Sequence, residues 1–205
     1  MKPYHKIYSI YKRDEKGKIR EREYSCPEFE YLSNLDWVWT EKIDGTNIRV
    51  MWDGEGQKVK FGGRTDNAEI NMKLIEKLGE VFTQEKLEKV FRNTPVCLYG
   101  EGFGPKIQKG GGNYGKEMDF IVFDIFIDRW WLKREDIEGI AASLEIKIVP
   151  MVGKGSLSCM VNKVKEGLTS TFGDFLAEGI VAKPEIELFT RDGERIITKI
   201  KGKDF

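Results

Sequence analysis

This chain is poor in the residues that build metal centres and covalent cross-links. It has one histidine, His5, and three cysteines, Cys26, Cys97 and Cys159, which lie far apart and form no Cys-x-x-Cys pair. Zinc sites draw on closely spaced His and Cys, so this inventory argues against one, and an odd, scattered set of thiols offers no disulfide framework. Such cysteine usage fits a reducing compartment, the cytosol or the nucleus. No apolar run approaches the roughly 18 residues that span a bilayer, and the start lacks a hydrophobic signal core, which argues against a membrane partner. Charge of one sign is missing too: 34 lysines and arginines meet 34 acids. No global field recruits nucleic acid, and any binding of that kind has to come from local patches. Internal repeats and low-complexity linkers are absent as well.

What is present reads as a compact enzyme. The sequence is 40% hydrophobic and 12% aromatic, which argues against disorder, and 205 residues suffice for one well-buried domain. A hairpin is predicted around Asp14-Glu15-Lys16-Gly17. Leu35 to Thr40 reads as a strand, because aromatic and β-branched residues alternate with polar ones. Ile70 to Phe91 reads as helical, with Ile70, Leu74, Leu78 and Val81 on one face and Leu87, Val90 and Phe91 continuing it. Val96 to Tyr99 is a predicted strand, followed by a loop from Gly100 to Gly115 holding seven glycines. Phe120 to Ile127 reads as a strand buried on both faces. Helices are predicted over Arg134–Leu144 and Ser156–Glu166, the latter stopped by Gly167, and strands over Gly179–Lys183 and Ile196–Lys201. Strands interrupted by helices in irregular order point to an α+β fold with antiparallel sheets.

The segment that speaks most directly of chemistry is Glu41-Lys42-Ile43-Asp44-Gly45-Thr46-Asn47. Lys42 ends an apolar strand and precedes the turn dipeptide Asp44-Gly45, with an acid on each side. A lysine becomes a covalent nucleophile when its neighbours release its proton, and a strand mouth is a suitable place for one. A solvated lysine before a hairpin turn fits the same residues, since Lys-x-Asp-Gly arises by chance in roughly one chain in twenty-five of this length. Gly100, Gly102 and Gly104 do not give Gly-x-Gly-x-x-Gly and no helix is predicted to follow the loop, so a dinucleotide-binding reading is rejected. Lys106, Lys109 and Lys116, with Tyr114 between them, are either a site for the phosphate backbone of a strand end or an ordinary surface loop.

Further segments decide between these readings. Lys42-Ile43-Asp44-Gly45-Thr46-Asn47, then Gly63-Arg64-Thr65, Leu98-Tyr99-Gly100-Glu101, Phe120 to Ile125, Glu178-Gly179-Ile180-Val181 and Thr198-Lys199-Ile200-Lys201 follow one another in order. Together they resemble the motifs of the ATP-dependent polynucleotide ligases of the covalent nucleotidyltransferase superfamily. The RNA ligase branch is the nearest, since Thr-Asn follows the glycine where DNA ligases and capping enzymes usually place an arginine two residues on. The opening Lys6-Ile7-Tyr8-Ser9-Ile10, followed by Lys12-Arg13-Asp14, looks like the same family's N-terminal segment.

The resemblance implies a nucleotidyltransferase domain of antiparallel sheets with flanking helices around a nucleotide cleft. It implies an RNA ligase that joins 5′-phosphate and 3′-hydroxyl ends through lysyl-AMP and adenylylated RNA, using ATP with Mg²⁺ or Mn²⁺. Lys42 is then the nucleophile, with Lys199 and Lys201 on one strand face lowering its proton affinity and neutralising the α-phosphate. Glu178 and Glu101 are the expected metal or nucleotide carboxylates, Glu178 before an apolar strand and Glu101 after Tyr99-Gly100. The implied nucleotide contacts are Glu41 to the adenine amino group, Phe120 stacked on the adenine, and Asn47 and Arg64 at phosphate or sugar. For Phe120 the residues also fit a core position, although Phe123 and Phe126 fit that better. The chain is expected to be a single domain over residues 1–205 without the OB-fold or helical C-terminal domain of most relatives, which leaves room for a partner subunit supplying it. A DNA ligase and a non-catalytic nucleotide- or RNA-end-binding module on the same fold are the competing readings.

Overall fold

In the computed structural model, residues 3–54 and 59–205 are described, and the chain forms two compact units. One holds Asp44–Val149 with the residues up to Tyr4, the other His5–Ile43 and Pro150–Phe205.

The first unit is built on a sheet of β5 (Thr46–Trp52), β6 (Lys60–Gly62), β7 (Val96–Phe103), β8 (Asp119–Ile127) and β10 (Lys147–Ile148), in the order β10-β8-β7-β5-β6, with β9 (Trp130–Trp131) also paired to β8. Its central pairings, β5 with β7 and β7 with β8, are antiparallel, and only the β10 edge runs parallel. Alternation along β5 sends Ile48, Val50 and Trp52 into a core shared with Leu74 and Leu78 of α2 (Met72–Val81), Leu87 and Phe91 of α3 (Gln84–Phe91), and Ile137, Ala141 and Leu144 of α4 (Arg134–Leu144). The long helix expected over 70–91 is two helices. Asn71 caps the first by accepting from Lys73 N–H, and Thr83 caps the second by accepting from Lys86 N–H, so the shared apolar face continues across a break.

Two further differences lie in β7 and β8. The strand does not stop at Tyr99: it runs to Phe103, so Gly100 and Gly102 are strand residues and the glycine-rich loop begins after them. Between Tyr99 and Gly100 the pairing with β8 shifts, leaving Phe123 as the extra residue opposite the break. A bulge of this kind reverses the alternation of one strand. Phe120 and Val122 before it, and Ile125 after it, therefore face the helices, while Phe123 turns to the other side against Tyr4, with ring centroids 5.1 Å apart. Tyr4 donates to the buried carboxylate of Asp124 at 2.5 Å on that side.

The second unit carries a five-stranded sheet in the order β1-β13-β12-β4-β11, made of β1 (Tyr8–Ser9), β4 (Trp37–Lys42), β11 (Met151–Gly155), β12 (Gly179–Pro184) and β13 (Thr198–Lys201). The pairings β11–β4, β4–β12 and β12–β13 are antiparallel, and β1 joins β13 in parallel. β2 (Tyr11–Arg13) and β3 (Ile19–Tyr24) form the expected hairpin around Asp14–Gly17, and α1 (Pro27–Tyr31) follows it. Trp37 and Trp39 of β4, Ile180 and Ala182 of β12 and Ile200 of β13 meet Leu157, Met160, Val161 and Val164 of α5 (Leu157–Lys165) in a second core. Both units are thus α+β with predominantly antiparallel sheets. Among the described residues no helix is long and apolar enough to cross a membrane.

Gly100 tests the bulged strand pair. A β-carbon there would lie 2.3 Å from the Phe120 ring and 2.4 Å from the Ile121 carbonyl oxygen. Gly100→Ala should cost about 3 kcal/mol through overpacking of a rigid site, read as a lowered urea midpoint at unchanged m-value.

Candidate active site

Three neighbouring strands set the geometry around Lys42. Gly179, the first residue of β12, is paired with Lys42 on one side and with Lys201 on the other. Residues opposite one another across an antiparallel pair project from the same face, so both lysines rise from one side of the sheet with a glycine between them. The gap this leaves is filled by the preceding residue. Glu178 accepts from Lys42 Nζ at 2.6 Å through Oε2 and from Lys201 Nζ at 2.5 Å through Oε1. Gly179 permits the arrangement, because a β-carbon there would lie 2.1 Å from the Ile200 carbonyl oxygen. Lys199 is one alternation away from Lys201, and both side chains are half-buried while Thr198 and Ile200 are buried.

The charge pattern differs from the expected one in an instructive way. The expectation was that Lys199 and Lys201 would repel charge on Lys42, yet the group that meets Lys42 is a carboxylate shared with Lys201. Burial alone would raise the Glu178 carboxyl, but the charges and hydrogen bonds of Lys42 and Lys201 outweigh it and hold that carboxyl below its ordinary value.

Glu41 occupies the opposite face of β4. It is 1% exposed, and its carboxylate accepts from the Ser170 hydroxyl at 2.6 Å, the Thr171 N–H at 2.9 Å and the Thr171 hydroxyl at 2.8 Å. The resemblance implies an adenine contact for this residue; in the structure it anchors the segment after α5 to the strand that carries Lys42. Ser170 and Thr171 escaped sequence reading, since nothing about a Thr-Ser-Thr stretch 129 residues away marks it as the partner of a strand-end acid.

The remaining expected residues lie in the first unit. Asn47 and Glu101 are directly paired across β5 and β7, on the sheet face opposite the helices, so Glu101 lies within a strand and not at the end of a loop. Asn47 Oδ1 is buried without a hydrogen-bond partner among the described residues. Arg64 is exposed in the turn after β6. The buried arginine of this region is Arg49, which donates to the Gly63 carbonyl at 2.7 Å and to Asp66 at 2.6 Å, and so holds the turn in which Arg64 stands. Phe120 is 2% exposed, edge-on to Phe82 with centroids 5.3 Å apart, whereas Phe123 and Phe126, expected to be the better core residues, are only half-buried. Asp44, the acid of the Lys-x-Asp-Gly motif, accepts from Gly110 N–H at 2.8 Å and so ties down the glycine-rich loop. In that loop Lys106, Lys109 and Lys116 are exposed, but Tyr114 is 6% exposed and turned against Phe103, so it offers no free ring for a base.

The comparisons with known proteins bear on this geometry. A family described as RNA ligase matches residues 35–201. The chain belongs to the RNA ligase family. Solved structures of Naegleria gruberi RNA ligases are similar to it. A lysine-to-alanine mutant with ATP and Mn matches at TM-score 0.67 and 18% identity, over 99% of this chain and 62% of that one. An apo lysine-to-alanine mutant matches at TM-score 0.66 and 21% identity, over 86% of this chain and 52% of that one, and a complex with PPi matches at TM-score 0.67 and 18% identity, over 98% and 62%. These likenesses establish a shared fold, and this chain spans between half and two thirds of the chains it matches. The RNA ligase match takes in Glu41, Lys42, Glu178, Lys199 and Lys201, and begins after the N-terminal hairpin.

Two outcomes are expected. Glu41→Ala should destabilise the protein by about 3 kcal/mol, because it strands three donors and empties a buried site, measurable by chemical denaturation. A carboxyl lowered on folding contributes stability that is complete above its ordinary value of 4.5 and is lost as the pH falls through the lower folded value. The melting temperature of Glu178→Gln should therefore lie below that of the parent at pH 7, and the gap should narrow as the pH falls below the ordinary value of 4.5.

Proposed function

We propose that this chain is the nucleotidyltransferase part of an ATP-dependent RNA ligase and works as a single functional domain. The observation that carries the reading is the row Lys42–Glu178–Lys201, two ammonium groups sharing one carboxylate at the mouth of a sheet. Surface solubility does not require such a cluster, whereas transfer of a nucleotide to a lysine uses a positioned amine with a second cation beside it.

In the first step Lys42 Nζ, having given up a proton, forms a bond to the α-phosphorus of ATP while the bond to the bridging oxygen breaks and pyrophosphate leaves, giving lysyl-AMP. Lys201, already held at the site, and Lys199 on the same face supply positive charge where the α-phosphate gains negative charge, and need no reorganisation to do so. An oxygen of an RNA 5′-phosphate then displaces the lysine from AMP. A 3′-hydroxyl displaces AMP in turn, making the phosphodiester.

Glu178 has a second task in this scheme. While it holds the Lys42 ammonium it keeps the nucleophile positioned but charged, so the pair must open for attack, and incoming phosphates compete for the same lysines. A divalent cation suits this carboxylate, being a hard ion that prefers oxygen ligands and needs few from the protein. Among the described residues no group of three or more His, Cys, Asp or Glu comes together, so phosphate oxygens and water would complete its shell. Such an ion, Mg²⁺ or Mn²⁺, supplies neutralisation of phosphate charge. The roles implied for Asn47, Arg64 and Glu101 at the nucleotide or metal belong to the same proposal, to be tested singly. Phe120, enclosed against Phe82, is assigned to the core.

The protein incubated with α-labelled ATP and Mg²⁺ and then denatured should retain label on the chain. Lys42→Ala should reduce that label to background, and Lys201→Ala should slow labelling by about 10²- to 10³-fold. Unlabelled wild-type protein that is folded would defeat the reading. A nick flanked by ribose should then be sealed in preference to an all-DNA nick.

A further inference from the structure

Beside the Lys42 row and sharing Lys201 with it, the second unit contains a trough of about 480 Å³ lined by Lys6, Lys12, Arg13, Lys199, Lys201 and Lys203, with no acid among its lining residues. In a chain whose charges otherwise balance, six cations around one depression form a local field of the kind that recruits a polyanion. The topology explains the gathering. β1 pairs in parallel with β13, placing Ser9 beside Lys199, and Ile10 N–H donates to the Lys199 carbonyl at 3.0 Å. The hairpin that follows brings Lys12 and Arg13, while the short 3₁₀ turn Gly202–Asp204 after β13 brings Lys203. Arg13 is steadied by Asp204 at 2.7 Å and Lys201 by Glu178, but Lys6, Lys12 and Lys203 are exposed and make no ion pair among the described residues.

Two more observations separate this trough from a merely charged surface. Tyr8 is 54% exposed on its lining, and Lys6 Nζ stands 4.9 Å from that ring's centroid. An open aromatic face beside a row of cations is the combination that binds single-stranded nucleic acid, bases stacking while phosphates track the positive groove. The trough also contains Lys199 and Lys201, so it opens directly onto the row that holds Lys42. Lys6, Lys12, Arg13 and Lys203 all fall outside residues 35–201, the stretch matched by the family.

We propose that this trough binds the phosphodiester backbone of a single-stranded RNA end and leads its 5′-phosphate toward Lys42, with Tyr8 stacking one base. The direction toward Lys42 rests on the ligase reading; the binding itself does not, and is measured without ATP. The same phosphate chemistry could come from the triphosphate of ATP, and the experiment separates the two.

A 5′-phosphorylated, dye-labelled RNA decamer is titrated into wild type and into Lys12→Glu/Lys203→Glu over a range of salt concentrations, with Lys12→Arg/Lys203→Arg and Tyr8→Ala as companions. The charge reversal should weaken binding at least about tenfold and flatten the slope of log K against log salt by about 1.4, two contacts at about 0.7 each. The arginine pair should bind like wild type, and Tyr8→Ala should weaken binding with its salt slope unchanged. Strand affinity within twofold of wild type in the charge-reversed variant overturns the proposal. If labelling of the chain by ATP falls in that same variant, the trough belongs to the triphosphate. Decamer binding that persists in a protein that takes no label from ATP would uphold the trough and sink the ligase reading.

Discussion

Everything around Lys42 depends on one carboxylate being placed between two ammonium groups. Glu178 can stand there only because the residue after it is glycine, and because three strands are in register at that point. Removing the carboxylate would leave the two lysines without the acid they share. The cost of partly burying these groups is met by their mutual attraction, and the lowered carboxyl of Glu178 is the measure of which effect wins. This makes the row a balanced electrostatic device.

The two faces of β4 divide the work. Lys42 lies on one face, half-buried and answering to Glu178, whereas Glu41 lies on the other, buried and saturated by Ser170 and Thr171. An acid with three short hydrogen bonds is a fixed point, and the strand that carries Lys42 is fastened by it. Adjacent residues with unlike tasks are what a strand period of two provides. The same logic operates in the first unit. There Asn47 and Glu101 pair on one face of the sheet while Ile48 and Val50 pack against helices on the other.

Much of this was legible from the residues in order. The strand before Lys42, the turn at Asp44-Gly45, the hairpin at Asp14–Gly17, helix α4 from Arg134 to Leu144 and the shared face of Lys199 and Lys201 all follow from local periodicity and turn chemistry. Local signals stop where partners are remote. Phe120 and Phe123 look alike in Phe-Ile-Val-Phe-Asp, and a bulge whose cause lies in β7 decides which of them is core. The split between α2 and α3 was foreshadowed by Thr83 but masked by an apolar face that runs on across it. Tyr114, in a loop that read either as a phosphate-backbone site or as ordinary surface, packs against Phe103.

By itself the sequence determined which chemistry is available: an ordered set of motifs with one lysine before a turn, an acid before a late strand and two lysines on a terminal strand. These are properties of residue type and spacing, and they survive without any knowledge of the fold. Only the tertiary structure decided what each charge meets. Lys42 finds a carboxylate 136 residues away, Arg13 finds one 191 residues away, and the N-terminal lysines join the C-terminal ones in a single trough. Long-range electrostatics is set by strand order and register, which emerge from packing two cores and cannot be read from any window of neighbouring residues.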